Sequence, residues 1–267
     1  MIQALYTAAS GMVGQQKNID VIANNVSNIN TDGFKMSRLD FQDCLYRRML
    51  SPVDNSPQKN LQHGTGAIEY QVAKLFLQGP IRDTDRPLDF SLEGNGFFMV
   101  ENPNPLEENE GLDEILYTRS GNFYISPETE GAEGGYLVDS SGRFVLSSDG
   151  ERIFISDPST LAVDTQGYLS QTDYHGTVTE IAWLGLADFT NRSGLASVGD
   201  NLYMATLNSG DETEAMATVR SNSLESSNVD YGEEVTRLIR AQRAYQIASR
   251  CITTADQMMQ QVNNIRQ

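Results

Sequence analysis

Apolar residues recur with a three-and-four spacing at both ends of the chain. In the N-terminal segment, Ile2, Ala9, Gln16 and Ala23 alternate with Leu5, Met12, Ile19 and Val26. In the C-terminal segment, Tyr231, Leu238, Tyr245, Ile252 and Met259 alternate with Ala241, Ala248, Ala255 and Val262, and Glu234 interrupts the pattern. Asp230 and Glu233 form a capping-box pattern at the start of this second segment. The spacing predicts two terminal helices that pair with each other as a coiled coil.

The middle of the chain has a different pattern. Short stretches rich in aromatic and β-branched residues, such as "LDFSLEGNGFFMV", "ILYTRSGNFYIS" and "GYLVDSSGRFVLSSDG", are separated by Gly, Asn, Asp and Ser. This composition is typical of strands joined by tight turns. We therefore predict an α+β fold in which a central all-β domain lies between the two helices. The predicted boundaries are 1–45 for the N-terminal helix and turn, 46–84 for a linker or extended arm, 85–226 for the β-domain, and 227–267 for the C-terminal helix.

Charged residues are distributed unevenly along the chain. The 267 residues carry a net charge of −17, which argues against a nucleic-acid partner. Residues 1–50 have four acids and five bases, residues 235–267 have one acid and five bases, and the middle carries the remaining 31 acids and 9 bases. The ends and the centre are therefore expected to have different surroundings. Acidic stretches at Glu101–Glu114 and Ser126–Gly135 are predicted to be solvated loops.

The stretch "ANNVSNINTDGFK" places four asparagines at the end of the first helix, although Asn favours caps and turns over helix interiors. Asn24, Asn25 and Asn28 fall opposite the predicted seam, where they could bond to another copy of the chain. They could equally cap the helix ahead of a turn in which Gly33 adopts positive φ. We expect both roles.

The other outward positions of the two helices also suggest neighbours. Those of the first helix are mostly small or amide-bearing, and those of the second include Ile239 and Ile247. A helix pair with few charges and with apolar residues outside its seam is expected to be covered by further copies.

Known catalytic and metal-binding patterns are missing from the sequence. It has no nucleophile elbow, no zinc-protease motif and no complete dinucleotide loop. The two cysteines, Cys44 and Cys251, match no metal or redox spacing and are interpreted as unpaired thiols.

No apolar run is long enough for a membrane span. The first residues lack the pattern of a cleaved signal peptide, so any export is expected to use another route.

Several motifs together resemble the bacterial flagellar rod and hook family. "ANNVSNINTDGFK" is similar to the family's N-terminal signature, and "RPLDFSLEGNGFF", "YTRSGNFYIS", "LESSNVDYGEEVTRLIRAQRAYQ" and "TTADQMM" follow in the family's order. "FQDCLYRRM" and "IRAQRAYQ" are most similar to the distal rod protein, and "GPIRDTDRPLDFSLEGNG" also resembles the proximal rod protein.

The resemblance implies a structural subunit that is exported unfolded through the flagellar type III apparatus. Such subunits polymerise into a helical tube that crosses the periplasm and transmits motor torque to the hook. Implied partners are other copies, other rod proteins, the hook protein and the basal-body rings; no cofactor is implied. The residues expected to pack subunits are Leu5, Met12, Ile19, Asn24, Asn25, Val26, Asn28, Gly33, Phe34, Leu238, Tyr245, Ile252 and Met259. A non-flagellar filament subunit and a secreted β-domain enzyme remain as alternatives.

Overall fold

The chain folds into two compact units in the computed structural model, which describes residues 2–50, 57–103, 115–127, 134–157, 160–172 and 178–265. The helix unit contains Met1–Ser27, Ser37–Lys74 and Asp230–Gln267. The β unit contains Asn28–Met36 and Leu75–Val229. This division differs from the predicted boundaries, because residues 28–36 belong to the β unit and most of the predicted arm belongs to the helix unit. The predicted acidic loops at Glu101–Glu114 and Ser126–Gly135 lie largely outside the described residues.

Within its described residues, the helix unit contains two helices and four strands. They are α1 (Ile2–Ser27), β1 (Ser37–Asp43), β2 (Arg47–Leu50), β3 (Pro57–His63), β4 (Ala67–Lys74) and α2 (Tyr231–Ile265). α1 packs against α2 and also against β1 and β4. β1 pairs antiparallel with β4, and β2 pairs antiparallel with β3. The segment predicted as a linker or extended arm therefore contains paired strands.

α2 follows its predicted pattern over its central turns, whereas the predicted seam residues Tyr231 and Val262 near its two ends are 61% and 53% exposed. Asp230 accepts a hydrogen bond from the Glu233 backbone N–H at 3.0 Å, which caps the first turn. Glu234, Ala241 and Ala255 are buried at multiples of seven residues. The predicted seam residues Leu238, Tyr245, Ile252 and Met259 are half-buried. Glu234 interrupts the apolar pattern but is itself one of the buried positions.

α1 departs from its predicted seam. Leu5, Met12, Ile19 and Val26 are half-buried, but Ala23, predicted inside the seam, is exposed. Gly14, Ile22 and Asn25 are buried instead. The reason is a second contact surface: the Phe41 ring of β1 lies against Gly14, where an added Cβ would be 2.9 Å from Cε1. The pairing of the terminal helices is present, whereas their coiled-coil geometry stays a prediction.

The β unit contains sixteen strands within the described residues. They are β5 (Ile81–Asp83), β6 (Phe90–Glu93), β7 (Phe97–Glu101), β8 (Ile115–Thr118), β9 (Tyr124–Ser126), β10 (Gly135–Val138), β11 (Phe154–Ile155), β12 (Leu161–Val163), β13 (Tyr168–Thr172), β14 (Val178–Trp183), β15 (Leu186–Phe189), β16 (Ala196–Gly199), β17 (Leu202–Met204), β18 (Glu212–Glu214), β19 (Thr218–Ser221) and β20 (Ser223–Glu225).

The largest sheet of the β unit has six strands in the order β16-β17-β8-β7-β15-β18. Three-stranded sheets β11-β10-β9 and β12-β13-β14 and the pairs β19-β6 and β20-β5 complete the unit. Its main core contains the fully buried Phe90, Phe98 and Phe123, and a second cluster surrounds Phe97 and Tyr203. The helices at both ends and the strands between them confirm the α+β class.

Candidate assembly site

The side chain of Asn25 joins three parts of the helix unit. It is 1% exposed, and its amide oxygen accepts a hydrogen bond from the Ser37 backbone N–H at 2.9 Å. Its amide nitrogen donates to the Ser37 backbone oxygen at 2.8 Å and to Glu234 Oε2 at 3.0 Å. Asn25 therefore fixes the start of β1 and the first turns of α2 against the end of α1.

These bonds correct the sequence interpretation of Asn25. It was predicted to face another copy of the chain, but the buried amide is used within the subunit. Only the neighbouring Asn24 lies on the exposed side of the helix. The proposal of lateral bonds between subunits therefore passes to Asn24, while Asn25 has an internal structural role.

Glu234 is the buried acid that receives the Asn25 amide. Its side chain is 1% exposed, and Oε1 accepts a hydrogen bond from Arg237 at 2.9 Å. A buried carboxylate is costly unless it is paired and hydrogen-bonded. Here the Asn25 amide donates to Oε2 and the Arg237 guanidinium donates to Oε1, so both oxygens of the buried Glu234 carboxylate are hydrogen-bonded.

Within the β unit, Lys35 belongs to a buried charge cluster. Its Nζ lies 2.6 Å from Glu225 Oε1, and the two side chains are 1% and 0% exposed. Arg119 donates to Glu225 Oε2 at 3.0 Å, and the Gly79 backbone N–H donates to Oε1 at 2.7 Å. Burial lowers the pKa of Lys35, and the Glu225 charge opposes that shift. One carboxylate thus holds two buried cations, which makes Glu225 the central member of the cluster.

The turn before Lys35 is built into the β unit by close packing. Gly33 has φ +71°, and a Cβ there would come within 2.6 Å of the Ser120 backbone nitrogen. Its N–H donates to the Glu225 backbone oxygen at 2.7 Å. Phe34 is buried, and Asn28 Oδ1 accepts a hydrogen bond from the Thr31 hydroxyl at 3.2 Å. The predicted positive φ of Gly33 is confirmed, and Asn28 has the predicted turn role.

The outer surface of the helix unit carries many exposed apolar side chains. Ile239 and Ile247 of α2 are 46% and 62% exposed, as predicted for outward positions. The other exposed large apolar residues among the described part of this unit are Tyr6, Val13, Phe41, Leu45, Tyr46, Ile68, Tyr70, Val72, Tyr231, Met258, Val262 and Ile265. The unit carries 11 basic and 9 acidic residues, whereas the β unit carries 8 and 27. A nearly neutral surface with this many apolar groups is suited to contacts with other protein chains.

The described part of the chain contains neither a metal-binding cluster nor a disulfide. His, Cys, Asp and Glu side chains form no cluster there that could hold a metal ion. Cys44 and Cys251 are both free thiols, as interpreted from their spacing. Neither described helix has an apolar stretch long enough to cross a membrane.

Known protein families match three segments of the chain. Residues 5–35 match the flagella basal body rod protein model, residues 91–171 the flagellar hook protein FlgE/F/G D1 domain, and residues 220–265 the flagellar basal body rod FlgEFG protein C-terminal model. The first segment contains the asparagine-rich turn, and the last contains Glu225 and Glu234. The class of protein is thus that of flagellar rod and hook subunits.

Curated relatives narrow this class. The chain is 37% identical to flagellar basal-body rod protein FlgG of Caulobacter vibrioides, over 99% of this chain and 100% of the relative. It is 35% identical to FlgG of Borreliella burgdorferi over 100% and 99%, and 33% identical to FlgG of Bacillus subtilis over the whole of both chains. The chain belongs to the flagellar basal-body rod protein family. This family is structural, which confirms the prediction that the chain is not an enzyme.

Proposed function

We propose that the chain is a structural subunit of the bacterial flagellar basal-body rod, at the position of the distal rod. End-to-end similarity to rod proteins named FlgG carries this proposal. The subunits polymerise into a helical tube, and the tube transmits motor torque to the hook. The alternative is a paralogous subunit elsewhere in the rod or hook.

The helix unit is the part of the subunit that we assign to polymerisation. It presents exposed Ile239, Ile247 and Met258 on α2, and the apolar side chains of β4 are also uncovered. A contact between two different surfaces, repeated from copy to copy, generates an open helical assembly. Leu5, Met12, Ile19 and Val26 pack α1 for this role, as Leu238, Tyr245, Ile252 and Met259 pack α2.

The proposed position in the rod also determines which partners we propose for the subunit and where in the cell it lies. The chain assembles with other flagellar rod and basal-body components, and we propose the hook protein and the basal-body rings among them. We propose that this rod crosses the periplasm and that the subunit reaches it through the flagellar type III apparatus.

Purified basal bodies provide the test. Cells of the source organism that lack the chain should have no hook, and an epitope-tagged copy should restore motility and appear by immunogold labelling on the rod. A tagged copy that restores motility but labels another part of the flagellum would contradict the rod assignment. Normal hooks in the deletion strain would contradict it as well.

A further inference from the structure

A groove of about 360 Å³ opens on the helix unit where α1, α2 and β1 meet. Its lining combines apolar residues, among them Val21, Leu39 and Ala244, with a larger number of polar and charged ones, among them Arg240. Arg240 is exposed and makes no hydrogen bond or ion pair with any described residue. Since an apolar cavity of about 150 Å³ accommodates benzene, this Arg240 groove has room for one or two large side chains.

The same unit presents a matching protrusion, the Leu45 turn, at Asp43–Tyr46 between β1 and β2. Leu45 is 90% exposed and Tyr46 is 59% exposed, while Asp43 beside them is an exposed acid. The turn is held in place, because the Cys44 N–H donates to the Gly66 oxygen at 2.9 Å and the Thr65 hydroxyl donates to the Leu45 oxygen at 2.7 Å. A fixed backbone thus presents a large apolar side chain to solvent, which is unfavourable unless a partner covers it.

The Arg240 groove and the Leu45 turn of one subunit are too far apart to contact each other. Gly66, next to the turn, lies against Thr7 and Ser10 of α1, whereas the groove uses α1 residues Gln15 to Ile22. At 1.5 Å per residue, their centres are roughly 15 Å apart along α1. The exposure of Leu45 and the unpaired Arg240 side chain agree with this separation.

We propose that the Leu45 turn of one copy inserts into the Arg240 groove of a second copy. Leu45 and Tyr46 fill the apolar part of the groove, and Asp43 pairs with Arg240 at its rim. The occupant is a second copy because the chain itself supplies both surfaces and the charge of each complements the other. A groove on the C-terminal half of α1 and a protrusion beside its N-terminal half form a head-to-tail contact, which builds an open helical assembly when the repeated rotation does not close a ring. The inference rests on the proposed function and names the contact through which the rod grows.

Thiol cross-linking in isolated basal bodies tests the contact, and Cys44 already lies in the Leu45 turn. In the variant C251S/A244C, a short bismaleimide should join Cys44 of one copy to the new thiol in the next copy's groove and produce a ladder of covalent multimers. The matched control C251S/Q246C places the thiol on the exposed side of α2, and it should give no ladder. Equal ladders from both variants, or assembled rods of the first variant without a ladder, would overturn the proposal. Absence of the wild-type chain from basal bodies would instead refute the proposed function.

A charge exchange gives a second, independent measurement. Asp43 and Arg240 are both exposed, so D43R and R240D should leave the subunit folded by circular dichroism. Each single variant should reduce the number of assembled rods per cell about tenfold or more, because like charges would face each other at the rim. The double variant D43R/R240D should restore assembly. If it assembles no better than the single variants, Asp43 and Arg240 do not meet.

Discussion

Asn25 shows how one amide can fix three chain segments. Its three hydrogen bonds connect α1 to Ser37 and to Glu234, and all three residues are buried. Removing the amide would leave a backbone N–H, a backbone oxygen and a carboxylate oxygen each without one partner. Buried groups in that condition destabilise a protein by about 1–3 kcal/mol each.

Asn25→Ala should therefore lower the free energy of unfolding of the helix unit by several kcal/mol, about 2–4 kcal/mol after partial relaxation. Asn24→Ala on the exposed side is the matched control and should cost less than about 1 kcal/mol. Urea unfolding followed by helical circular dichroism measures both. Equal stability of the two variants would show that the buried amide bonds contribute little.

Glu225 and Lys35 should respond unequally to substitution. Glu225→Gln leaves Lys35 and Arg119 buried without a counter-charge, so we expect a loss of about 3–5 kcal/mol. Lys35→Met removes one cation but leaves Glu225 bonded to Arg119 and Gly79, so the loss should be smaller, about 1–3 kcal/mol. Trp183 is the single tryptophan and lies in the β unit, so its fluorescence reports this unfolding. A larger loss from Lys35→Met would contradict the central role of Glu225.

Because Tyr203 is buried, we expect the β unit to become less stable at alkaline pH. Burial raises the pKa of Tyr203 well above its ordinary value. Above about pH 10 the unfolded chain releases this proton and the folded chain retains it, so the free energy of unfolding falls by about 1.4 kcal/mol per pH unit. Tyr203→Phe should flatten that slope by this amount in urea titrations at rising pH. An unchanged slope would mean that Tyr203 ionises in the folded protein.

At the level of single elements, α1 depends on two glycines with different surroundings. A Cβ at Gly11 would meet nothing within 4 Å, whereas one at Gly14 would lie 2.9 Å from the Phe41 ring. Gly11→Ala should raise the stability of the helix unit by about 0.5–1 kcal/mol through helix propensity. Gly14→Ala should gain less or become destabilising, because Phe41 must move. Thermal unfolding of the two variants separates these outcomes, and an equal gain would show that α1 does not rest on β1 there.

The two helices also show which features of the fold can be predicted from sequence. The seven-residue pattern of α2 correctly predicted that Ala241 and Ala255 are buried, but it was wrong for Tyr231 and Val262, which are exposed. The same pattern placed Ala23 of α1 inside, and it was wrong because β1 and β4 form a second contact surface that spacing does not reveal. The strands were visible in composition and turn residues. The order of the six-stranded sheet was not, because β8 pairs with β17 and β7 pairs with β15, and these partners are far apart in the sequence.

The candidate site was predictable only in outline. The asparagine-rich stretch was identified as important, but the partner of Asn25 lies 209 residues further along the chain. Glu234 was treated as an interruption of the seam, since a single acid in an apolar pattern gives no sign of what it binds. Lys35 was noticed only as part of a family motif. Buried polar pairs of this kind depend on long-range packing that local periodicity does not contain.

For the whole molecule, the division of charge matches the division into units. The helix unit has a net charge of +2 and the β unit has −19, counted over the ranges of each. A nearly neutral unit can approach its copies without strong repulsion, while the acidic unit favours solvent.

We assign the contacts between subunits to the helix unit, and hydrogen exchange of the full chain can test that assignment. Amide exchange should be compared between the dilute monomer and purified rods, with β7 in the core of the β unit as the internal reference. We expect protection along α2 from Ile239 to Met258 to rise at least about tenfold in the rod, because its exposed face becomes covered, while β7 stays unchanged. Equal protection of α2 in the monomer and in the rod would show that the exposed face of α2 is not covered by other subunits.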